Sequence, residues 1–550
     1  TWGCPHNPHY VRMMEGRVRA QAETGIDGSY VDWTHMAGGT CYCDYTRRAF
    51  TDYLATHLPD SVAQAKYGTS DYADISLPTR RGDAFWMEWL TFRGYSVAEF
   101  HRRLRTVARK YNPDFMISGN VFGGFGYGPI AYDAAGNMEM LGQVDDFIYS
   151  EIQEYLDSAP RKDQDGTKIT NSPALKFLAA AAHNKPVIVY ATEITPPIFP
   201  DPSEKALSAM ARINIAEAVT NHAIFREKRQ TPPGATEMYA FLAANESYLL
   251  NMKLASNIAI LASLNQYLAD EQSYAFSLSR VLADHGVGHV MIVEDDLLDD
   301  DLSKNHIVIL PHIPLLSKAK QRALVEYVRG GGQLLILGKS GIKDEYDQAL
   351  KEPPLAGMLE RTTFPPQSVS RSFGDGRVIY LPVTIPEGGF LIPARKKGDV
   401  TTFGPAMMDV FADIPEGYTR NRMDPQLRQI LEGCARRIMG ALNDQTSRVL
   451  RGSRYVELTT MLSNNQDRLL VHLVNYDVTV DGTVTPATDL RIQVLLPEGR
   501  RIKSVIYSGT LGEMKPLTFR TQDVPTGQMV LIMPDTLETY GLAVIEMTID

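Results

Sequence analysis

The chain has 550 residues, 44% of them hydrophobic, with a formal net charge of −10 and no long Lys/Arg run, which argues against nucleic acid or an anionic membrane as a partner. Its longest apolar runs, such as residues 186–191 and 307–310, break far short of the roughly 20 residues needed to cross a bilayer, so a soluble protein is expected. Four cysteines in so long a chain do not make a disulfide framework, and at about 150 residues per domain the length accommodates three or four domains.

Pro8 to Glu23 reads as a helix with Tyr10, Met13, Met14 and Val18 on one face. It leads into Ser29-Tyr30-Val31-Asp32, a β-branched and aromatic run behind a Gly-Ile-Asp-Gly turn, which predicts a buried strand ending in a carboxylate. A Gly-rich loop follows, then Cys41-Tyr42-Cys43, then a helix with Ala49, Phe50, Tyr53 and Leu54 at helical spacing. A carboxylate at the carboxyl end of a strand, followed by a loop and a helix, is how a (β/α) barrel presents chemistry; capping the next loop is the equally ordinary use of Asp32.

Next come a helix over 93–110, a strand over 114–120 running into a Gly-rich turn, and a strand over 145–151 ending in Glu151. An Ala-rich helix, a strand over 186–193, a helix from about Glu204 and a strand near 218–225 complete a unit over 1–252. Strands alternating with helices argue for a parallel sheet covered on both sides or closed into a barrel. Residues 253–389 repeat the pattern on a smaller scale, with apolar strands at 256–261, 290–293, 306–311, 333–338 and 377–382 and a helix over 318–329, which predicts a flavodoxin-like doubly wound α/β domain. An irregular and helical connection over 390–450 has its helix from about Pro425, and alternating runs at 454–461, 468–476, 490–496 and 529–533 predict a C-terminal β-sandwich over 451–550.

The order of these motifs resembles the glycoside hydrolase family 42 β-galactosidases. Cys4-Pro-His-Asn-Pro and the helix after it resemble the family's Cys-Pro-Asn-x-Pro segment. Asp32, Cys41-Tyr-Cys43 and the following helix resemble its fourth strand, acid/base loop and cysteine cluster. Ser118-Gly-Asn120 is similar to the fifth strand, Asp146-Phe-Ile-Tyr-Ser-Glu151 to the sixth, Tyr190-Ala-Thr-Glu-Ile-Thr-Pro196 to the nucleophile strand, and Leu470-Val-His-Leu-Val-Asn-Tyr476 to the C-terminal β-domain. The resemblance implies a (β/α)8-type barrel followed by an amidotransferase-like trimerisation domain and a β-domain. Only five strands fit before Lys253, so it also implies that three barrel strands would precede Thr1. One departure concerns the proton donor: where the family reads Asp-Asn-Glu, this chain reads Asp32-Trp33-Thr34.

Retaining glycoside cleavage needs an ionised carboxylate and a protonated acid about 5–5.5 Å apart. The resemblance makes Glu193 the nucleophile, with Glu151 or Asp32 as the second acid on a β-galactoside-like substrate. An Asp32–Glu151 pair would instead suit an α-linked sugar, and a carbohydrate-binding protein without catalysis is the reading if two carboxylates do not converge. Trp33 and Tyr149 are candidates for stacking on a sugar ring, Asn120 for bonding its hydroxyls and His35 for replacing the lost acid; Trp86 and Trp89 are more ordinary as core. No cofactor is required for this chemistry. The family's structural zinc site has four cysteines; Cys4, Cys41 and Cys43 match three of them and Thr46 stands at the fourth, leaving a nearby His or water to complete a site, or reduced thiols without metal. Cys434 reads as a buried apolar residue. The turn Leu310-Pro-His-Ile-Pro, like every other from Ser256 to Pro382, lacks the nucleophilic Cys of an amidotransferase, so the middle domain is expected to assemble a homo-oligomer, a trimer by the resemblance.

Overall fold

The computed structural model describes residues 3–32, 36, 41–80, 82–122, 135–152, 168, 170–191, 203–226, 232–269, 273–299, 302–383, 425–441, 446–479 and 481–549. The first unit runs α1 (Pro8–Glu23), β1 (Gly28–Val31), α2 (Asp44–His57), α3 (Asp60–Tyr67), α4 (Trp86–Ala108), β2 (Met116–Phe122), α5 (Met138–Val144), β3 (Ile148–Ile152), α6 (Ser172–Ala181), β4 (Val187–Ala191), α7 (Glu204–Thr220), β5 (Ile224–Arg226) and α8 (Pro233–Ala244). Its strands pair in parallel in the order β1-β2-β3-β4-β5, so each helix crosses over one face of the sheet, as in a (β/α) barrel wall.

Period-2 alternation sorts the strands' side chains. Ile117, Ile148, Val187, Val189 and Phe225 are buried against the helices, whereas Tyr30, Met116 and Ile224 on the other face are exposed. α1 starts where the Asn7 side chain accepts the His9 and Tyr10 amides, with Pro8 at the first helical position. Its buried stripe is Val11, Val18 and Ala22, packed on α4. Tyr10 and Met14 only flank that stripe and Met13 is exposed, so the expected face was rotated. α4 begins at Trp86, well before the expected Arg93, and buries Trp89 among Phe50, Phe92 and Tyr42. Residues 218–220 belong to the last turn of α7. The chain reverses through His222 at φ 61°, and the strand starts only at Ile224.

The middle domain has β7 (Ile258–Leu261), β8 (Val290–Ile292), β9 (Ile307–Pro311), β10 (Gln333–Leu337), β11 (Val369–Phe373) and β12 (Gly376–Leu381) in the sheet order β11-β12-β10-β9-β7-β8, parallel except for the edge strand β11. This is a doubly wound, flavodoxin-like arrangement. The segment before it, β6 (Met252–Leu254), pairs antiparallel with Val456–Ser463 and so joins the C-terminal sheet. The helix expected from Pro425 spans Pro425–Ala441, while the irregular part before it lies outside the described residues. The C-terminal strands form a six-stranded and a four-stranded antiparallel sheet, packed as a sandwich. Tyr540–Ile549, which the sequence reading passed over, lies in the middle of the larger sheet between Arg468–Asn475 and Arg500–Ser508.

Candidate active site

The exposed face of β1 to β3, from the middle of the strands toward their carboxyl ends, brings several of the expected residues together. Asp32 directly follows β1 and is exposed, and its Oδ1 accepts a hydrogen bond of 3.1 Å from Asn120 Nδ2 on β2. Asn120 is buried and stands level with Tyr149 in the β2–β3 register. The Tyr149 ring meets Tyr30 of β1 edge-on at 4.7 Å between centroids, and its hydroxyl accepts a hydrogen bond from Arg226 of β5. Residues from the two outermost strands thus converge on Tyr149 across the concave face. Glu151, two residues further along β3, has its backbone paired with Phe122 and Tyr190. Glu193 comes two residues after the end of β4 in the sequence and, like Trp33 and His35, lies outside the described residues.

The frame beneath the mouth is fixed by acids at the start of β3. Asp146 accepts the Ile117 amide at 2.9 Å and pairs with Arg105 and Arg109 at 2.6 and 2.8 Å. Asp145 accepts the Gly119 amide at 3.0 Å and lies 2.7 Å from the buried His101 Nδ1. Carboxylates bonded to backbone amides pin two strands in register, which sets where their ends lie. Sequence reasoning missed Tyr30 and Arg226 as site residues. The signal for Tyr30 was its place two residues before Asp32 on the same strand face; Arg226 offered none in a strand whose bounds were misplaced.

The cysteines do come together. Cys4 precedes α1, Cys41 sits at φ 57°, Cys43 is the residue before α2, and their three sulfurs lie within 4.8 Å of one another. Cys43 Sγ is 3.7 Å from Cys4 and 3.5 Å from Cys41, and the buried Thr46 hydroxyl is 3.1, 3.3 and 3.6 Å from Cys41, Cys4 and Cys43. A tetrahedral zinc with bonds of about 2.3 Å to sulfur would hold its thiolates about 3.8 Å apart, close to the separations of Cys43 from Cys4 and Cys41, so the three thiols fit, with the Thr46 hydroxyl beside them. Hydrogen bonding with Cys41 draws the Cys4 thiol well below its ordinary range and pushes Cys41 above it. The His6 ring is turned elsewhere, 3.1 Å from Ser96 Oγ and stacked on Phe92. Trp89 is core, as expected, and Cys434 is buried.

In the middle domain the elbow after β9 carries His312 at φ 60°, in the place a nucleophilic cysteine would take. Residues 279–364 match the family model described as the β-galactosidase trimerisation domain. The chain is 24% identical over 420 residues to β-galactosidase BgaH of Haloferax lucentense, covering 65% of this chain and 61% of that protein. It is 23% identical over 403 residues to β-galactosidase Bga of Halorubrum lacusprofundi, covering 62% and 56%. It therefore spans about three-fifths of the length of these curated relatives. Among solved structures, β-galactosidase from Bacillus circulans sp. alkalophilus superposes with a TM-score of 0.64 at 13% identity, covering 97% of this chain and 83% of that one. A catalytic mutant of Gan42B, a family 42 β-galactosidase from G. stearothermophilus, gives 0.61 at 14% identity, covering 99% and 82%.

Proposed function

We propose that this chain, which shares the fold of the glycoside hydrolase family 42 β-galactosidases and contains their trimerisation domain, is a glycosidase that cleaves a β-galactoside with retention of configuration. The observation that carries the reading is the gathering of Asp32, Asn120 and Tyr149 on one face of three adjacent barrel strands, the third of which bears Glu151 further toward its carboxyl end, in a chain whose relatives are named β-galactosidases. In this reading Glu193 attacks the anomeric carbon as the C–O bond to the leaving group breaks, and Glu151 or Asp32 gives its proton to the departing oxygen. The same acid, now a base, takes a proton from the water that releases the sugar from Glu193. Asn120 donates to Asp32, and the exposed Tyr30 ring offers a platform for the C–H face of a pyranose.

The middle domain performs no catalysis and assembles the chain as a homotrimer, supported by the match over 279–364 and by the absence of cysteine from Ser256 to Pro382. Cys4, Cys41 and Cys43 would hold a structural zinc, with Thr46 or water as the fourth ligand; bound there it would fasten the start of α1 to the start of α2, apart from the bond-cleaving acids.

A panel of aryl glycosides tests the reaction. The expected result is hydrolysis of the β-galactoside, lowered by several orders of magnitude in Glu193→Gln. Replacing the proton donor should spare substrates with good leaving groups, which need little protonation. Cleavage of only the α-anomer would favour an Asp32–Glu151 pair, and binding without turnover would favour a carbohydrate-binding protein.

A further inference from the structure

A second concavity lies away from the strand-end mouth. It is a cleft of about 1010 Å³ between the outer helices α7 and α8, the short helix Glu246–Leu249 and loops of the C-terminal sandwich, and none of its lining residues belongs to β1–β5. Small-molecule sites are roughly 300–1,000 Å³, so the space accommodates several sugar rings.

Its chemistry is that of a surface for hydroxyl-rich rings. Tyr248 is partly buried, with the Arg468 guanidinium 6.0 Å from the ring centroid, and Arg468 Nη1 donates to the Ser247 carbonyl at 2.8 Å, which holds the segment in place. On the helix side Arg212 Nε donates to Glu237 at 3.0 Å; on the sandwich side Glu513 and Glu538 are exposed. Asn245 is buried between them and anchored by its Nδ2 to the Phe241 carbonyl at 2.9 Å. Glu237, Glu513 and Glu538 outnumber the two guanidinium groups, Arg212 being already paired with Glu237 and Arg468 held against Tyr248, a balance that disfavours anions. The same carboxylates accept hydrogen bonds from hydroxyl groups, while an aromatic face takes the C–H side of a pyranose.

We propose that this cleft is a second carbohydrate-binding site, taking a neutral oligosaccharide independently of the catalytic mouth. Only the choice of galactose as the test sugar rests on the hydrolase reading. β-1,4-Galactotetraose is titrated calorimetrically into the full Glu193→Gln chain, and into the same chain carrying either Tyr248→Ala or the Glu513→Gln/Glu538→Gln pair. The expected result is two binding events, the weaker of which declines about tenfold or more in both cleft variants and is retained in Tyr248→Phe. Hydrolysis of a small aryl galactoside by the otherwise wild-type Tyr248→Ala chain should be unchanged. Titrations identical with and without the cleft substitutions overturn the proposal, as does equal binding of an anionic galacturonate tetramer. The glutamate pair leaves the packed ring in place, so the proposal remains testable if Tyr248→Ala fails to fold. Cleft binding without turnover would sink the hydrolase reading alone, and turnover without cleft binding would sink this inference alone.

Discussion

Thr46 shows how far one position decides the character of the cysteine cluster. It is fully buried in the first turn of α2, its hydroxyl within hydrogen-bonding reach of all three sulfurs. A neutral hydroxyl is a weak zinc ligand beside a thiolate. Thr46→Cys should therefore raise zinc affinity by at least about tenfold, as read by competition with a chromogenic chelator, while the parent chain binds one zinc more weakly. Failure of both proteins to take up zinc would exclude the metal. The sequence made this cluster legible through its residue types and spacing. The family resemblance already put Thr46 at the fourth position; the separations of its hydroxyl from the three sulfurs depend on how α2 meets the start of α1.

At the scale of elements, α5 links the barrel to the middle domain. Glu139 of α5 accepts the Leu264 amide at 2.8 Å in a buried site facing Glu294, Asp295 and Lys320. Desolvation, reinforced by the Glu294 charge, pushes its carboxyl up to about 8 from an ordinary 4.5. A folded value above the unfolded one means that the stabilising contribution is complete below about pH 4.5 and is lost as pH rises through about 8. Glu139→Gln, which keeps an acceptor for Leu264 but cannot ionise, should match the parent near pH 4.5 and exceed it by on the order of 1–3 kcal/mol at pH 9, measured by denaturant unfolding. A difference independent of pH would contradict this.

The helices and strands of this unit were readable wherever apolar periodicity ran unbroken, as in α1 and β2–β4. The errors came where tertiary contacts take over. α4 continues back to Trp86 because its first turns pack into an aromatic cluster with Phe50 and Phe92, and the apolar run after Ala218 divides between a helix end and a strand because His222 turns the chain. Tyr540–Ile549 reads as an ordinary β-run in isolation, and its central place in the sheet is set by pairings more than 30 residues away.

Across the whole molecule, the three folded parts share one hydrophobic cluster and a buried charge network. Glu217 of the barrel accepts from the Thr170 hydroxyl, the Asn171 amide and side chain, and the Tyr476 hydroxyl of the sandwich, at 2.6–3.1 Å. Lys168 lies 3.1 Å from Glu457 of the sandwich and donates to the Ala283 carbonyl of the middle domain. Removing one member of a buried network leaves its partners desolvated, so Glu217→Ala should cost about 3–5 kcal/mol. It should also split a single thermal transition into two in calorimetry; an unchanged single transition would mean that the apolar cluster alone couples the domains. None of this network was legible in the sequence, because its members come from positions up to 306 residues apart.

The central claim is that Glu193 forms the covalent bond to the sugar, and trapping that bond tests it most directly. The chain is incubated with an activated 2-deoxy-2-fluoro-β-galactoside, whose fluorine destabilises the oxocarbenium-like transition states while the good leaving group keeps the first step running. Peptide mass spectrometry should then find one fluorogalactosyl group on the peptide containing Glu193, and none after Glu193→Gln. A label on Glu151 or Asp32 instead, or hydrolysis of the aryl galactoside by the Glu193→Gln chain at the parent's rate, would contradict the account.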